Sequence, residues 1–97
     1  MVELYLVYDA RIANLEYRYA YDRIIAQLLL LTKHFGKKQS QGILIDIPIR
    51  HHDIADLVNA TRETVSREIG KMERKELLWY KNHRIVIKSR SALEAEL

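Results

Sequence analysis

The segment 54–69 constrains the fold more than any other part of the chain. Apolar residues recur there at helical spacing in two groups, Ile54, Leu57 and Val58, then Val65 and Ile69. Two short helices that cross on their inner faces would bury both groups together. The segment therefore predicts a helix-turn-helix, with its first helix at about 51–58 and its second at about 62–75.

The residues between the two groups suit a tight turn followed by a helix start. Asn59 is one of the few residues besides glycine that tolerate a left-handed backbone. Thr61 is a good N-cap, because its hydroxyl can accept from the backbone N–H of Glu63 or Thr64. Ala55 is small enough to let the two helices cross closely. The turn and the periodicity thus predict the same motif.

A hairpin is predicted directly after the second helix. Segments 77–81 and 84–88 are rich in β-branched and aromatic residues, and the pair Asn82 and His83 between them suits a turn. A hairpin in this position is a wing, so the motif is predicted to be a winged helix-turn-helix.

Three further elements are predicted around this motif. The polar residues 37–42 predict a loop, and 43–49 predicts a strand ending at Pro48. Ser91 and Glu94 have the spacing of a capping box, which predicts a short last helix beginning there.

The first 35 residues contain no proline or glycine and carry a helical pattern. Apolar and aromatic residues alternate at spacings of three and four, as in the seam of a coiled coil: Tyr5, Tyr8, Ile12, Leu15 and Tyr19. We interpret this seam as a dimerisation surface; packing against the rest of the same domain is the alternative. The expected fold class is α+β and mainly helical, with a winged helix-turn-helix over 20–97 and the end of a long dimerisation-type helix over 1–19.

Composition excludes several classes of protein. A chain of 97 residues predicts one domain, and its 48% hydrophobic content is sufficient for a core. Without cysteine, the chain has no disulfide and no cysteine-held zinc or iron–sulfur site. No apolar run reaches the length of a membrane span, and the N-terminus lacks the pattern of a signal peptide, so the expected location is the cytoplasm.

The net charge of +3 is concentrated in one region. Residues 50–90 carry ten lysines and arginines against six aspartates and glutamates. A basic region with nearly neutral flanks favours a surface that faces phosphate.

The outward side of the second helix has the chemistry of base recognition. Arg62 and Arg67 can pair with guanine O6 and N7, and Glu63 can accept from the cytosine amino group. The hydroxyls suit phosphate or a thymine methyl: Thr61, Thr64 and Ser66. On the wing, phosphate contacts are predicted for Lys81, His83 and Arg84. The alternative is an ordinary solvated helix face.

The string DIADLV…TRETVSREI, with the hairpin after it, closely resembles the C-terminal DNA-binding half of the cyclic-AMP receptor protein/FNR family of bacterial transcription regulators. The resemblance implies that Arg62, Glu63 and Arg67 contact bases, as in members with G-rich half-sites. It also implies phosphate contacts by His51 and His52. Arg50 replaces the usual Thr or Ser cap before them, and could itself bind phosphate.

The resemblance has implications for partners as well. It implies double-stranded DNA with a near-palindromic site, a homodimer, and RNA polymerase as a further candidate partner. Family members bind an effector in an N-terminal barrel that this sequence does not contain. The expectation is therefore a chain without a cofactor of its own.

Two other functions fit the residues less well. His51, His52 and Asp53 are adjacent, but neighbouring helix residues point about 100° apart and cannot easily chelate one ion; without a nucleophile motif or a glycine-rich loop, neither an enzyme nor a metal site is expected. The other alternative is a winged helix that binds protein and never DNA. Such a module would have less need to expose Arg62 and Arg67.

Overall fold

The computed structural model describes residues 15–97. Between residues 20 and 94, four helices and four short strands follow one another: α1 (Ala20–Phe35), β1 (Gly36–Gln39), β2 (Gly42–Ile45), α2 (His51–Val58), α3 (Arg62–Arg74), β3 (Leu78–Lys81), β4 (Arg84–Ile87) and α4 (Arg90–Glu94). The predicted α+β winged helix-turn-helix is confirmed. Most of the long helix predicted over 1–19, including Tyr5, Tyr8 and Ile12, lies outside the described residues. Where it is described, residues 15 and 16 are helical but 17–19 are not, and Tyr19 is extended, so the helix does not reach residue 19 as predicted.

The strands form one antiparallel sheet in the order β1-β2-β4-β3. The wing hairpin pairs Leu78 with Ile87 and Lys81 with Arg84. Its turn has left-handed φ angles of 54° at Asn82 and 57° at His83, and a two-residue turn with both φ positive matches the twist of the strands it joins. The predicted wing is therefore confirmed, including the position of its turn.

The prediction of a loop over 37–42 was wrong. Residues Gly36–Gln39 form the edge strand β1, whose four residues are all exposed and which pairs with β2. An exposed edge strand has no buried face, so its sequence lacks the alternation that identifies strands. The predicted strand over 43–49 was too long for a local reason: Ile47 N–H donates back to the Ile45 carbonyl, which turns the chain out of the ladder ahead of Pro48.

The core lies where α1, α2 and α3 meet one face of the sheet. Fully buried side chains come from every layer: Ile24, Ile25, Leu28, Leu31, Ile45, Ile54, Val65, Ile69, Met72, Leu78, Ile85, Ile87 and Leu93. Each such side chain contributes roughly 1.5–3 kcal/mol relative to exposure. Among residues 15–97, no helix is long and apolar enough to cross a membrane.

The turn between α2 and α3 has the predicted conformation. Asn59 adopts φ 56° and ψ 55°, and Thr61 Oγ1 accepts from Thr64 N–H at 3.1 Å as the N-cap of α3. Arg23 of α1 donates to the Val58 carbonyl at 2.9 Å, satisfying one of the acceptors at the end of α2. The turn is thus stabilised by the Thr61 cap at the start of α3 and by the hydrogen bond from Arg23 of α1 to the end of α2.

The last helix begins earlier than predicted. Ser89 is the N-cap, and its hydroxyl accepts from Ala92 N–H at 3.3 Å. The predicted capping box at Ser91 and Glu94 does not form, because Glu94 instead pairs with Arg90 one turn earlier at 3.1 Å.

Two glycines give a matched stability test. Gly42 has φ of 144°, and a Cβ there would lie 2.3 Å from the Ile87 carbonyl oxygen. A Cβ on Gly70, inside α3, would meet only the end of the Arg74 side chain at 3.4 Å. Gly42→Ala should destabilise the domain by about 1–3 kcal/mol through backbone strain, whereas Gly70→Ala should stabilise it by about 0.5–1 kcal/mol. Urea unfolding followed by circular dichroism measures both, and equal effects would contradict this account.

Candidate nucleic-acid interface

The outer side of α3 presents the three residues predicted to contact bases. Arg62, Glu63 and Arg67 are all exposed, while Val65 and Ile69 are fully buried. Glu63 and Arg67 lie on the side away from these two residues, and Arg62, at the start of the helix, lies toward α2 and the wing. The buried side fixes the rotation of the helix, so the exposed side points away from the core in one direction. The structure therefore places these three exposed side chains on the first two turns of one helix.

The polar groups on this surface are largely unpaired. Within the described part of the chain, neither Arg62 nor Glu63 forms an ion pair. Arg67 has one distant partner, with its Nε 3.8 Å from Glu68 Oε1. A guanidinium carries five N–H donors, so both arginines keep donors available for a ligand.

The hydroxyls predicted to contact phosphate are already engaged within the chain. Thr61 Oγ1 donates to Thr64 Oγ1 at 2.9 Å while it caps the helix. Ser66 Oγ lies 2.7 Å from His51 Nδ1. Each hydroxyl has one donor and two acceptor sites, so these contacts orient Thr64 and Ser66 without using all of their capacity.

A cleft of about 290 Å³ lies where α2, α3 and the wing meet. It is lined by Arg50, His51, His52, Arg62, Ser66, Tyr80 and His83. Five of these residues were predicted to contact phosphate and one to contact bases, although they come from three parts of the sequence. The remaining predicted phosphate residues lie outside the cleft: Thr61, Thr64, Lys81 and Arg84.

Tyr80 is the residue of this cleft that the sequence pattern did not identify. Its hydroxyl donates to the Ile49 carbonyl at 3.0 Å and lies 3.4 Å from His83 Nδ1. Its ring packs on the His51 ring, with centroids 4.6 Å apart. Strand alternation places Tyr80 on the same face as buried Leu78, and that signal could have identified it as inward-facing.

Burial and neighbouring charge set the protonation of the cleft. Partial burial lowers the pKa of His51, the Arg62 cation lowers it further, and Glu73 opposes the shift. Burial also raises the pKa of Tyr80; the Arg50 cation opposes this shift and the Asp53 carboxylate adds to it, both with smaller effects. His51 and Tyr80 are therefore both neutral at pH 7 in the free domain.

The start of α2 is capped by one carboxylate. Asp53 Oδ2 accepts from Arg50 N–H at 2.8 Å, and its Oδ1 lies 3.2 Å from His52 Nε2. The Arg50 side chain has no acceptor atom, so it cannot accept a hydrogen bond from the helix start. Its guanidinium lines the cleft.

The two predicted wing cations differ in their surroundings. Lys81 is exposed and forms no ion pair with residues 15–97. Arg84 Nε lies 3.8 Å from Asp46 Oδ1, and Asp46 is bound more closely by Lys37 at 2.8 Å. Lys37 holds the pKa of Asp46 below its usual value. Of these two cations, Lys81 is therefore the one whose charge is not offset by a nearby carboxylate.

No metal centre is apparent in the same region. Over 15–97, the His, Asp and Glu side chains form no group of three that could hold a metal ion.

The chain matches known proteins along most of its length. Residues 22–96 match the family model described as the Crp-like helix-turn-helix domain. A global nitrogen regulator of Synechococcus elongatus is 32% identical over 88 residues, which are 91% of this chain and 40% of that protein. An anaerobic regulatory protein of Bacillus subtilis is 29% identical over 75 residues, 76% of this chain and 32% of that protein. The chain thus spans well under half the length of these curated relatives, and both are named as regulators.

Solved structures agree with this match. A transcriptional regulator of the CRP family from Thermus thermophilus superposes with a TM-score of 0.73 at 28% identity, over 90% of this chain and 44% of that one. A CooA mutant from Carboxydothermus hydrogenoformans gives a TM-score of 0.81 at 22% identity, over 96% of this chain and 41% of that one, which is a likeness of fold alone. Because the family model covers about three quarters of the sequence, the chain belongs to the Crp-like helix-turn-helix domain family.

Proposed function

We propose that α3 enters the major groove of DNA and recognises sequence through Arg62, Glu63 and Arg67. The family match and the named relatives identify the chain as a DNA-binding domain of a bacterial transcription regulator. The observation that carries the finer proposal is the exposure of these three side chains on the first two turns of a helix whose other side is fully buried in the core. A major groove admits one α-helix, and the N-terminal turns of such a helix reach the base edges.

The phosphates on either side of the groove would be held by the surrounding basic groups. Arg50, His51 and His52 would face one strand at the start of α2, and Lys81, His83 and Arg84 would face the backbone from the wing. The hydroxyls of Thr61, Thr64 and Ser66 would contact phosphates flanking the start of α3. What supports this arrangement is that the cleft and the wing tip lie beside the outer face of α3. Such contacts fix the register of a protein on the duplex, while base contacts supply its specificity.

The proposal includes a homodimer formed through residues 1–19. In support, two residues of the predicted seam that the structure describes are large and strongly exposed, Leu15 at 88% and Tyr19 at 64%. Two copies would present their α3 helices about one DNA turn apart, roughly 34–36 Å, to the halves of a near-palindromic site. A partner helix that covered Leu15 and Tyr19 would remove this apolar surface from water.

We propose no cofactor for this chain. In a longer regulator, an effector bound elsewhere would change DNA affinity by favouring one spacing of the two recognition helices. RNA polymerase would be a further partner of the DNA-bound regulator, and the bacterial cytoplasm its place of action.

Replacing Arg67 tests the base contact. Arg67→Ala should weaken binding to the preferred duplex by about 1–3 kcal/mol and relax the preference at one base pair, because a paired hydrogen bond to guanine is lost. Selection from a random-sequence duplex library, followed by affinity measurements on single-base variants, gives both quantities. Arg74→Ala is the matched control, since it removes the same charge from the far end of α3. An equal loss on every sequence would make Arg67 a phosphate contact only.

Replacing Lys81 tests the wing. Lys81→Ala should weaken binding to all sequences alike and reduce the slope of log K against log salt by about one, because one phosphate contact is lost. Lys38→Ala, on the strand farthest from the wing in the sheet, should leave the slope unchanged. A shift in the preferred sequence would instead show that the wing contacts bases. If the intact protein bound DNA without any salt dependence, a protein-binding module would be the better assignment.

A further inference from the structure

The cleft between α2, α3 and the wing has properties beyond a general attraction for DNA. We propose that it holds a single backbone phosphate of the bound duplex, and that this phosphate draws one proton from solvent onto His51. DNA affinity would then rise on acidification. The inference rests on the proposed function, since it concerns the same contact surface.

The cleft is built before any ligand arrives. The Ile49 carbonyl accepts from the Tyr80 hydroxyl at 3.0 Å, and the Ile49 N–H donates to the His83 carbonyl at 2.6 Å. These two bonds attach the wing tip to the residue just before the basic start of α2. Because both bonds are internal, a phosphate would find its ligands already positioned, and little conformational entropy would be lost on binding.

His51 occupies the centre of this arrangement. Its Nδ1 lies 2.7 Å from Ser66 Oγ, and its ring lies against Tyr80. Its Nε2 is buried and has no hydrogen-bond partner in the structure. A second proton on the ring would therefore be a buried charge with an unsatisfied donor, which is costly without a nearby anion.

Burial is the main effect that favours the neutral form of His51 in the free domain. Arg62 of α3 disfavours the imidazolium and Glu73 of the same helix favours it, while burial, the larger effect, lowers the pKa. The other ionisable groups facing the cleft are Arg50, His52 and Asp53 at the start of α2, and Tyr80 and His83 on the wing. The two arginines give the empty cleft a positive potential.

A bound phosphate would favour the protonated form of His51. Its negative charge would offset the arginine cations and raise the pKa of His51. The imidazolium donates through Nδ1 to Ser66 Oγ, which leaves the serine hydroxyl hydrogen free to donate to a phosphate oxygen. Ser66 would thus connect the proton on His51 with the bound phosphate.

The consequence is a linkage between proton and DNA. When the pKa of His51 is higher in the complex than in the free protein, binding takes up a proton, and affinity rises as pH falls between the two values. The gain is at most about tenfold per pH unit for one proton. Above both pKa values, and below both, affinity no longer depends on His51.

The experiment compares three histidine variants on one selected duplex. Fluorescence anisotropy at constant salt, from about pH 8 to about pH 5.5, gives the slope of log K against pH in the range where histidine titrates. Wild-type protein should show a slope approaching one proton. His51→Asn, whose amide can still hydrogen-bond Ser66, should lose most of that slope, and its own affinity at pH 8 is the reference for the change with pH. His52→Asn and His83→Asn should keep it.

Retention of the slope in His51→Asn, or its loss in either control, would overturn the proposal. Thermal unfolding of each variant across the same pH range separates a binding effect from loss of fold. The outcomes also separate this inference from the proposed function: sequence-specific binding without a proton slope refutes only the inference, whereas absence of specific binding at every pH refutes both.

A second measurement tests the phosphate itself. Duplexes in which one phosphate at a time is replaced by an uncharged methylphosphonate should show a single position that removes the proton slope in wild-type protein. The same substitution should cost His51→Asn only the pH-independent part of the contact. A slope that shrinks slightly at every position would mean that the proton responds to the general field of the DNA, and the assignment of one phosphate to the cleft would be wrong.

Discussion

The burial of one face of α3 is the constraint on which the rest of the structure depends. Val65, Ile69 and Met72 are fully buried against α1, α2 and the sheet. Rotating α3 by one residue, about 100°, would expose these side chains at a cost of roughly 1.5–3 kcal/mol each. That cost far exceeds the value of any ion pair the exposed arginines could form on the surface. The core, rather than the polar residues themselves, therefore decides which side chains α3 presents to a ligand.

Those features of the candidate interface that depend on residues close together in the chain could be predicted from the sequence. The helical spacing, the left-handed Asn59 and the Thr61 cap all lie close together in the chain, and the turn at Asn82 and His83 carries its own φ preference. Each of these features was correctly predicted. The edge strand β1 was not predicted, because it is held by backbone pairing with β2 and its four side chains are all exposed, so they show no alternation of polar and apolar residues.

The arrangement of side chains in the cleft could not be predicted from the sequence. The hydroxyl of Tyr80 and its acceptor on Ile49 are 31 residues apart in sequence, and His51 and Ser66 are 15 apart. Neither pair has a spacing that any helix or strand period would bring together. The histidines could be assigned to phosphate from their residue type and the family resemblance, but their gathering around a tyrosine is a property of the tertiary fold.

The cations of the described residues differ in whether a carboxylate offsets their charge. Away from the proposed interface, some cations have carboxylate partners, namely Lys75 with Glu96, Arg90 with Glu94, and Lys37 with Asp46. Others, such as Lys33, Lys38 and Arg74, form no ion pair with residues 15–97. Such exposed pairs contribute little to stability, typically about 0–1 kcal/mol, so their main effect is on the electrostatic field. On the proposed interface, Arg50, Arg62 and Lys81 have no carboxylate partner among residues 15–97, so their charges are not offset within the described chain. A net charge of only +3 can then steer a duplex toward one side of the molecule, because the direction of the field depends on which charges are compensated and not on their sum.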